Sequence, residues 1–196
     1  MDVAALSSGH RISPERSNVW NVPNALTTAR LGLAGVLFAC ISLEAWRVSL
    51  VIFLVAAFTD WLDGYLARKH GLISAFGRNF DPLVDKILIC GAFVFLLPVQ
   101  GALLTPLIVT LVVARELVVT GLRGYFEARN TTFGADVFGK VKMFLQCAAL
   151  VAIFIALGWP GAPVSVQQAL IYAAAAATAL SGMQYVVKAV MLFRGA

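Results

Sequence analysis

Ionisable side chains are scarce in this chain. Only 13% of its 196 residues are charged and ten are acidic, against 60% hydrophobic residues and a mean hydropathy of +0.86. A soluble globular domain carries about 25% charged residues, so that class is excluded. Cysteine occurs only as Cys40, Cys90 and Cys147, each in an apolar stretch and at unrelated spacings. This excludes a disulfide framework and a thiolate metal site, and the three read as small core- or lipid-facing residues. Of the two histidines, His10 falls in a polar tail and His70 in a polar connection, where both read as solvated. Residues 1–22 lack the continuous apolar centre of a signal peptide. The formal charge of +5 would suit nucleic acid in a soluble protein. In so apolar a chain it points instead to anionic lipid and phosphate groups, and no nucleic-acid partner is expected.

Apolar runs are what the chain has in abundance. A membrane span needs about 20 largely apolar residues, and six such runs fit between short polar connections. They cover about Asn24 to Leu43, Arg47 to Ala67, a third ending near Pro98, Leu103 to Tyr125, a fifth from Asp136 to about Trp159, and Val166 to Leu192. The expected fold is an all-α integral membrane protein of six transmembrane helices. Residues 1–22 form a tail and short interfacial segment anchored by Trp20, and residues 23–196 form the six-helix domain. Arg30, near the start of the first run, is expected to snorkel to the interface. The alanines from Ala173 to Ala177 permit close helix approach, within the bundle or between subunits. Charge placement agrees with six spans. One side collects 14 of the 15 lysines and arginines and only Arg47 lies opposite, so that side, with both termini, is expected to be cytoplasmic.

Four of the ten acidic residues, Asp60, Asp63, Asp81 and Asp85, fall within 26 positions between two apolar runs. Carboxylates beside hydrocarbon are costly, which marks a site. Asp60, Asp63, Gly64, Ala67 and Arg68 follow helical i, i+3, i+4 spacing and share a face. Gly64 and Ala67 leave a shallow floor beside the acids, with Arg68 placed to meet an anionic group. Asp81 and Asp85 stand one turn apart. Pro82 between them leaves two alternatives: the third helix starts near Asp81, with Gly77 in an entry turn, or it is kinked there. Hard carboxylate oxygens favour Mg²⁺ or Mn²⁺, and four of them have room for two ions, suited to a diphosphate and a leaving nucleotide. One carboxylate less committed to metal could take a proton from an attacking hydroxyl. The plainer alternative, ion pairing with Arg68, Lys69, Arg78 and Lys86, does not require four acids on two facing stripes.

The pattern Asp60-x-x-Asp63-Gly64-x-x-Ala67-Arg68-x8-Gly77-x-x-x-Asp81-x-x-x-Asp85 resembles the signature of the CDP-alcohol phosphatidyltransferases at all eight fixed positions. The resemblance implies a homodimeric six-helix membrane enzyme that transfers a phosphatidyl group from CDP-diacylglycerol to an alcohol and releases CMP. It further implies that Asp60, Asp63, Asp81 and Asp85 are metal ligands, with Asp85 also the general base. Gly64, Ala67 and Arg68 would line the CDP site, and Ser74, Asn24 and Thr27 occupy its other nucleotide-contacting places. Asn21-Val-Pro-Asn-Ala-Leu-Thr-Thr-Ala-Arg30, Phe80-Asp-Pro-Leu-Val-Asp-Lys86, Ala114-Arg-Glu-Leu-Val-Val-Thr-Gly-Leu-Arg123 and Gly139-Lys-Val-Lys142 look like the bacterial phosphatidylglycerophosphate synthase branch, whose acceptor is glycerol 3-phosphate. An N-terminal extension of about 20 residues departs from many members of that branch.

Arg115, Arg123, Lys140 and Lys142 fall at the same ends of their helices as the aspartates, and an acceptor carrying its own phosphate needs such cations. The bland alternative is that they follow the positive-inside rule and meet lipid headgroups, Lys142 and Arg129 above all. Arg115, deeper in its run beside Glu116, costs more to keep there. The competing functions are a sister transferase accepting inositol phosphate or phosphatidylglycerol, and a cation transporter. A transporter would place its acids toward midplane on discontinuous helices. The expected setting is the cell membrane, with membrane lipids as partners and the active site cytoplasmic.

Overall fold

The computed structural model describes residues 22–70, 75–127, 129 and 137–194. Among these there are six α-helices and no strand: α1 (Val22–Ser42), α2 (Trp46–His70), α3 (Ala75–Leu96), α4 (Pro106–Glu127), α5 (Val137–Gly158) and α6 (Val164–Arg194). The order and number match the six apolar runs. The N-terminal tail and interfacial segment lie outside the described residues.

Local chemistry sets the ends. The first helix closes in a Schellman turn: Ala45 N–H donates to Cys40 O at 2.9 Å and Glu44 N–H to Ile41 O at 3.0 Å. Glu44 holds the left-handed position with φ 57 that glycine usually fills. Thr105 caps α4, its hydroxyl accepting from Ile108 N–H at 3.3 Å, and Pro106 occupies the first helical position, where no N–H is needed. The second helix runs three residues past Ala67 because nothing between there and Gly71 breaks it. Pro82 does not start α3. That helix begins at Ala75, so Gly77 belongs to its first turn and not to an entry turn. Gly77, Asp81 and Asp85 therefore stand at successive i+4 positions of one helix.

Three connections gather at one end of the bundle. Arg47, at the start of α2, donates through Nε to Gly158 O at 3.1 Å and lies 5.0 Å from the ring of Trp159 after α5. Gln167, early in α6, donates to Gly101 O at 2.8 Å and Ala102 O at 3.0 Å in the α3–α4 link. The C-terminal ends of α2 and α4 and the N-terminal ends of α3 and α5 then lie at the opposite end. Within the bundle α1 packs on α2 and α3, α5 on α2 and α6, and α4 on α6. The alanine-rich part of α6 is used inside the bundle: Ala174 is buried, and Thr178 accepts from Gln146 of α5 at 3.0 Å. Arg30 does not reach the surface. It is 3% exposed, because α1 turns that face toward its two neighbours.

The outside is as apolar as the inside. Leu43 and Leu107 are each 78% exposed and Phe144 73%, among many other large apolar side chains open on the surface. Water-soluble monomers rarely expose so much contiguous apolar area. Two helical stretches, Phe138–Gly158 and Val164–Leu192, are long and apolar enough to cross a membrane. Among the described side chains, α1, α2 and α3 contribute further apolar stretches, Thr28–Ser42, Trp46–Thr59 and Lys86–Leu96.

Gly91 shows how tightly α1 meets α3. A Cβ there would overlap the ring of Phe38, which is stacked on Phe95 with centroids 4.8 Å apart and planes 5° from parallel. The ring cannot swing aside without breaking that stack. Gly91→Ala is therefore expected to destabilise the bundle by about 1–3 kcal/mol despite its small volume. Thermal unfolding in detergent checks it, and an unchanged midpoint would show that the two helices separate at little cost.

Candidate active site

The aspartates stand on two helices that both pack against α1. Asp60, Asp63, Gly64, Ala67 and Arg68 lie in the last three turns of α2, and Asp81 and Asp85 in the first three of α3. For these residues, and for Asn24 and Thr27 in the first two turns of α1, the backbone is described but the side chains lie outside the described residues. Ser74 lies outside them altogether. Among the described residues no three His, Cys, Asp or Glu side chains converge on a metal position. The donor set still fits a hard divalent cation: two pairs of carboxylates, each at helical spacing, with no soft ligand beside them.

One residue beyond Asp85, described side chains begin to enclose a cavity of about 180 Å³. Its walls include Lys86 of α3, Arg115, Glu116, Thr120 and Arg123 of α4, Lys140 and Lys142 of α5, and Tyr185 of α6. Among the described side chains, five cations thus meet around one carboxylate. All four basic residues singled out at the ends of α4 and α5 line the same space. A larger cavity, about 830 Å³, lies at the other end of the bundle beside Trp46 and Pro98. Glu44 is the one ionisable group in its lining, so chemistry favours the smaller cavity.

The cations are held differently. Arg115 Nη1 pairs with Glu116 Oε1 at 3.1 Å, Nη2 donates to Ser181 Oγ at 2.5 Å, and the guanidinium lies 5.3 Å from the Tyr185 ring. Lys142 also pairs with Glu116 Oε1 and is only 5% exposed. So buried a lysine is not a headgroup anchor; it belongs to the bundle interior, which removes the lipid-contact alternative for it. Gly182 lets Arg115 pass: a Cβ there would sit 3.1 Å from Arg115 Cγ. Among the described residues Arg123 reaches only Tyr185 Oη, at a long 3.4 Å, and Lys140 is exposed. Lys86 donates to Thr120 Oγ1, whose own hydroxyl donates to Glu116 O at 2.6 Å. Arg115 and Lys142 are thus bound into the protein, while Arg123, Lys140 and Lys86 keep donors for a ligand. Arg129 stands apart from the cavity, 4.4 Å from the Tyr125 ring.

Sequence reasoning did not place Lys86 and Tyr185 in this cavity, nor Ser181 and Gly182 against Arg115. A signal existed in α6, where Thr178, Ser181 and Tyr185 form a polar stripe at helical spacing within an apolar run. Lys86 read as an ion-pair partner of the aspartates, but its described contact is across to α4.

Comparison with known proteins bears directly on this arrangement. The sequence profile of the CDP-alcohol phosphatidyltransferases matches residues 20–180, a stretch that includes both aspartate pairs and most of the cavity lining. The chain belongs to the CDP-alcohol phosphatidyltransferase family. Relatives within it carry the name CDP-diacylglycerol–glycerol-3-phosphate 3-phosphatidyltransferase. One from Rickettsia felis is 34% identical over 84% of this chain and 93% of its own length. Another from Bacillus subtilis is 33% identical over 70% of this chain and 78% of its own length. A third, from Cereibacter sphaeroides, is 35% identical over 71% and 65% respectively.

Proposed function

We propose that the protein transfers the phosphatidyl group of CDP-diacylglycerol to the primary hydroxyl of sn-glycerol 3-phosphate, giving phosphatidylglycerophosphate and CMP. The observation that carries this reading is the basic cavity opening one residue beyond Asp85. An acceptor with its own phosphate requires such a cavity, and the names of the relatives agree.

In this reading the six helices span the cell membrane, both termini and the site face the cytoplasm, and two chains form a homodimer. The acyl chains of the donor stay in the bilayer. Gly64 and Ala67 give its headgroup a shallow floor, Arg68 meets its phosphates, and Asn24, Thr27 and Ser74 contact the nucleotide. Arg123 and Lys140 hold the acceptor phosphate, with Arg115 and Lys142 behind them as a fixed cationic wall. Asp85 takes the proton of the acceptor's primary hydroxyl. The oxygen forms a bond to the β-phosphorus of the donor, the bond to the CMP oxygen breaks, and CMP departs with that electron pair. Asp60, Asp63, Asp81 and Asp85 would hold Mg²⁺ or Mn²⁺, two ions in all, supplying charge neutralisation at the pyrophosphate and leaving nucleotide.

Purified protein in detergent–lipid micelles, given CDP-diacylglycerol, Mg²⁺ and labelled glycerol 3-phosphate, is expected to make a labelled phospholipid and one CMP per product. Chelation with EDTA should stop the reaction. No lipid product from folded protein would overturn the reading, and efficient turnover of inositol phosphate or phosphatidylglycerol in its place would reassign the acceptor.

A further inference from the structure

A carboxylate in a cavity built for an anion works against affinity, so Glu116 needs a reason to be there. Balancing charge explains part of it, since Arg115 and Lys142 are both largely buried and would be costly alone. The geometry leaves something over. Both cations land on one oxygen, Oε1. A carboxylate serving only as counter-ion would spread two donors over two oxygens, or take the arginine as a two-pronged fork. Here Arg115 Nε is sealed off without a partner, yet no donor among the described residues reaches Glu116 Oε2. Nor is Oε2 one of the buried polar atoms left unsatisfied. It is the oxygen left to face the cavity that Glu116 lines.

Such an oxygen repels phosphate and accepts from a hydroxyl. Its position suits a hydroxyl at the deep end of a small acceptor. Glu116, Thr120 and Arg123 share one face of α4 by their i, i+4, i+7 spacing, with Lys86 of α3 bound to Thr120. Arg123 and Lys140 mark the phosphate end and Lys86, next to Asp85, the end where the reacting hydroxyl must lie. Along α4 the order is Arg123, then Thr120 with Lys86, then Glu116 one turn deeper, so an acceptor with its phosphate on Arg123 and Lys140 and its reacting hydroxyl turned toward Asp85 has its adjoining hydroxyl to offer to Glu116. At about 180 Å³ the cavity is smaller than the roughly 300–1,000 Å³ of drug-sized pockets and suits a three-carbon phosphate.

We propose that Glu116 is a specificity-determining residue: Oε1 fixes Arg115 and Lys142, while Oε2 accepts a hydrogen bond from the secondary hydroxyl of a polyol phosphate. The inference rests on the function proposed above and adds the reading of that hydroxyl to it. A hydrogen bond to a charged group contributes enough for roughly 10- to 100-fold discrimination.

The test compares glycerol 3-phosphate with 3-hydroxypropyl phosphate, which keeps the phosphate and the primary hydroxyl and lacks only the secondary one. With the intact chain, kcat/KM should fall roughly 10- to 100-fold for the deoxy compound. In Glu116→Gln, which keeps size and loses charge, the ratio should shrink to a few-fold, mainly because glycerol 3-phosphate becomes a poorer substrate. The double variant Glu116→Gln with Lys142→Met removes both charges of a buried pair, a change that proteins tolerate, and should show the same reduced ratio. Should either variant be inactive, calorimetric binding of the two phosphates gives the same comparison. Equal use of both acceptors by the unmodified protein would overturn the inference while leaving the proposed function standing. So would a ratio unchanged by losing the carboxylate. Turnover of neither acceptor would defeat both.

Discussion

Asp85→Asn should reduce phosphatidyl transfer by roughly 10²–10⁴-fold, the range that a positioned general base supplies. Asparagine matches aspartate in size and keeps an oxygen, but its amide cannot take the proton that the primary hydroxyl must lose. The loss should appear in kcat with both substrates saturating, because the cations that would hold the acceptor sit on α4 and α5 and are untouched. Steady-state kinetics, with thermal unfolding to confirm an intact bundle, make the measurement. Asp85 stands in the third turn of a continuous α3, where replacing the carboxylate by its amide leaves the helix its full backbone bonding. Undiminished turnover would remove the base assignment from Asp85 and leave the family signature otherwise intact.

Arg123→Ala should raise KM for glycerol 3-phosphate by roughly 10- to 100-fold, corresponding to a lost charge-assisted hydrogen bond of about 1.5–3 kcal/mol. The choice of arginine follows from how each is held. Arg115 is committed to Glu116, Ser181 and the Tyr185 ring, so truncating it would disturb the bundle as well as the ligand. Arg123 has one long bond to Tyr185 and lines the same cavity. Its removal should leave KM for CDP-diacylglycerol and the unfolding midpoint nearly unchanged. Arg123→Lys should recover only part of the loss, since an ammonium cannot present the paired donors of a guanidinium. Equal losses for both substrates would show that Arg123 supports the fold and does not bind the acceptor.

Much of this was legible before any coordinates. Apolar run length, with breaks near Pro98 and after Trp159, located six helices to within a few residues. Helical periodicity put Asp60, Asp63 and Arg68 on one stripe, and the fixed spacing through Asp85 carried the family. These are local signals: each depends on residues one to a few turns apart, whose relative placement the 3.6-residue period fixes without any partner. Pro82 shows the limit of that logic, since a local rule left two geometries open and the bundle chose the longer helix. The four cations were also named from sequence, but only as charges sharing one end of their helices.

Which of them are free and which are bound could not be read that way. Lys86, Glu116, Lys142 and Tyr185 come from four helices, and their meeting depends on how α3, α4, α5 and α6 rotate against one another. A rotation of one residue would send Glu116 to the surface and leave Lys142 buried without its partner. That rotation is set by side-chain fit, such as Gly182 making room for Arg115 and Gly91 for Phe38, and fit has no period in sequence. By itself, then, the sequence determined six helices, the end on which the charges gather, the aspartate pattern and the family. Only the tertiary structure decided that Arg115 and Lys142 share one oxygen of Glu116, that the other oxygen faces the cavity, and that Arg123 and Lys140 keep donors for a ligand. Those outcomes are contacts between helices, where packing and not periodicity selects the arrangement.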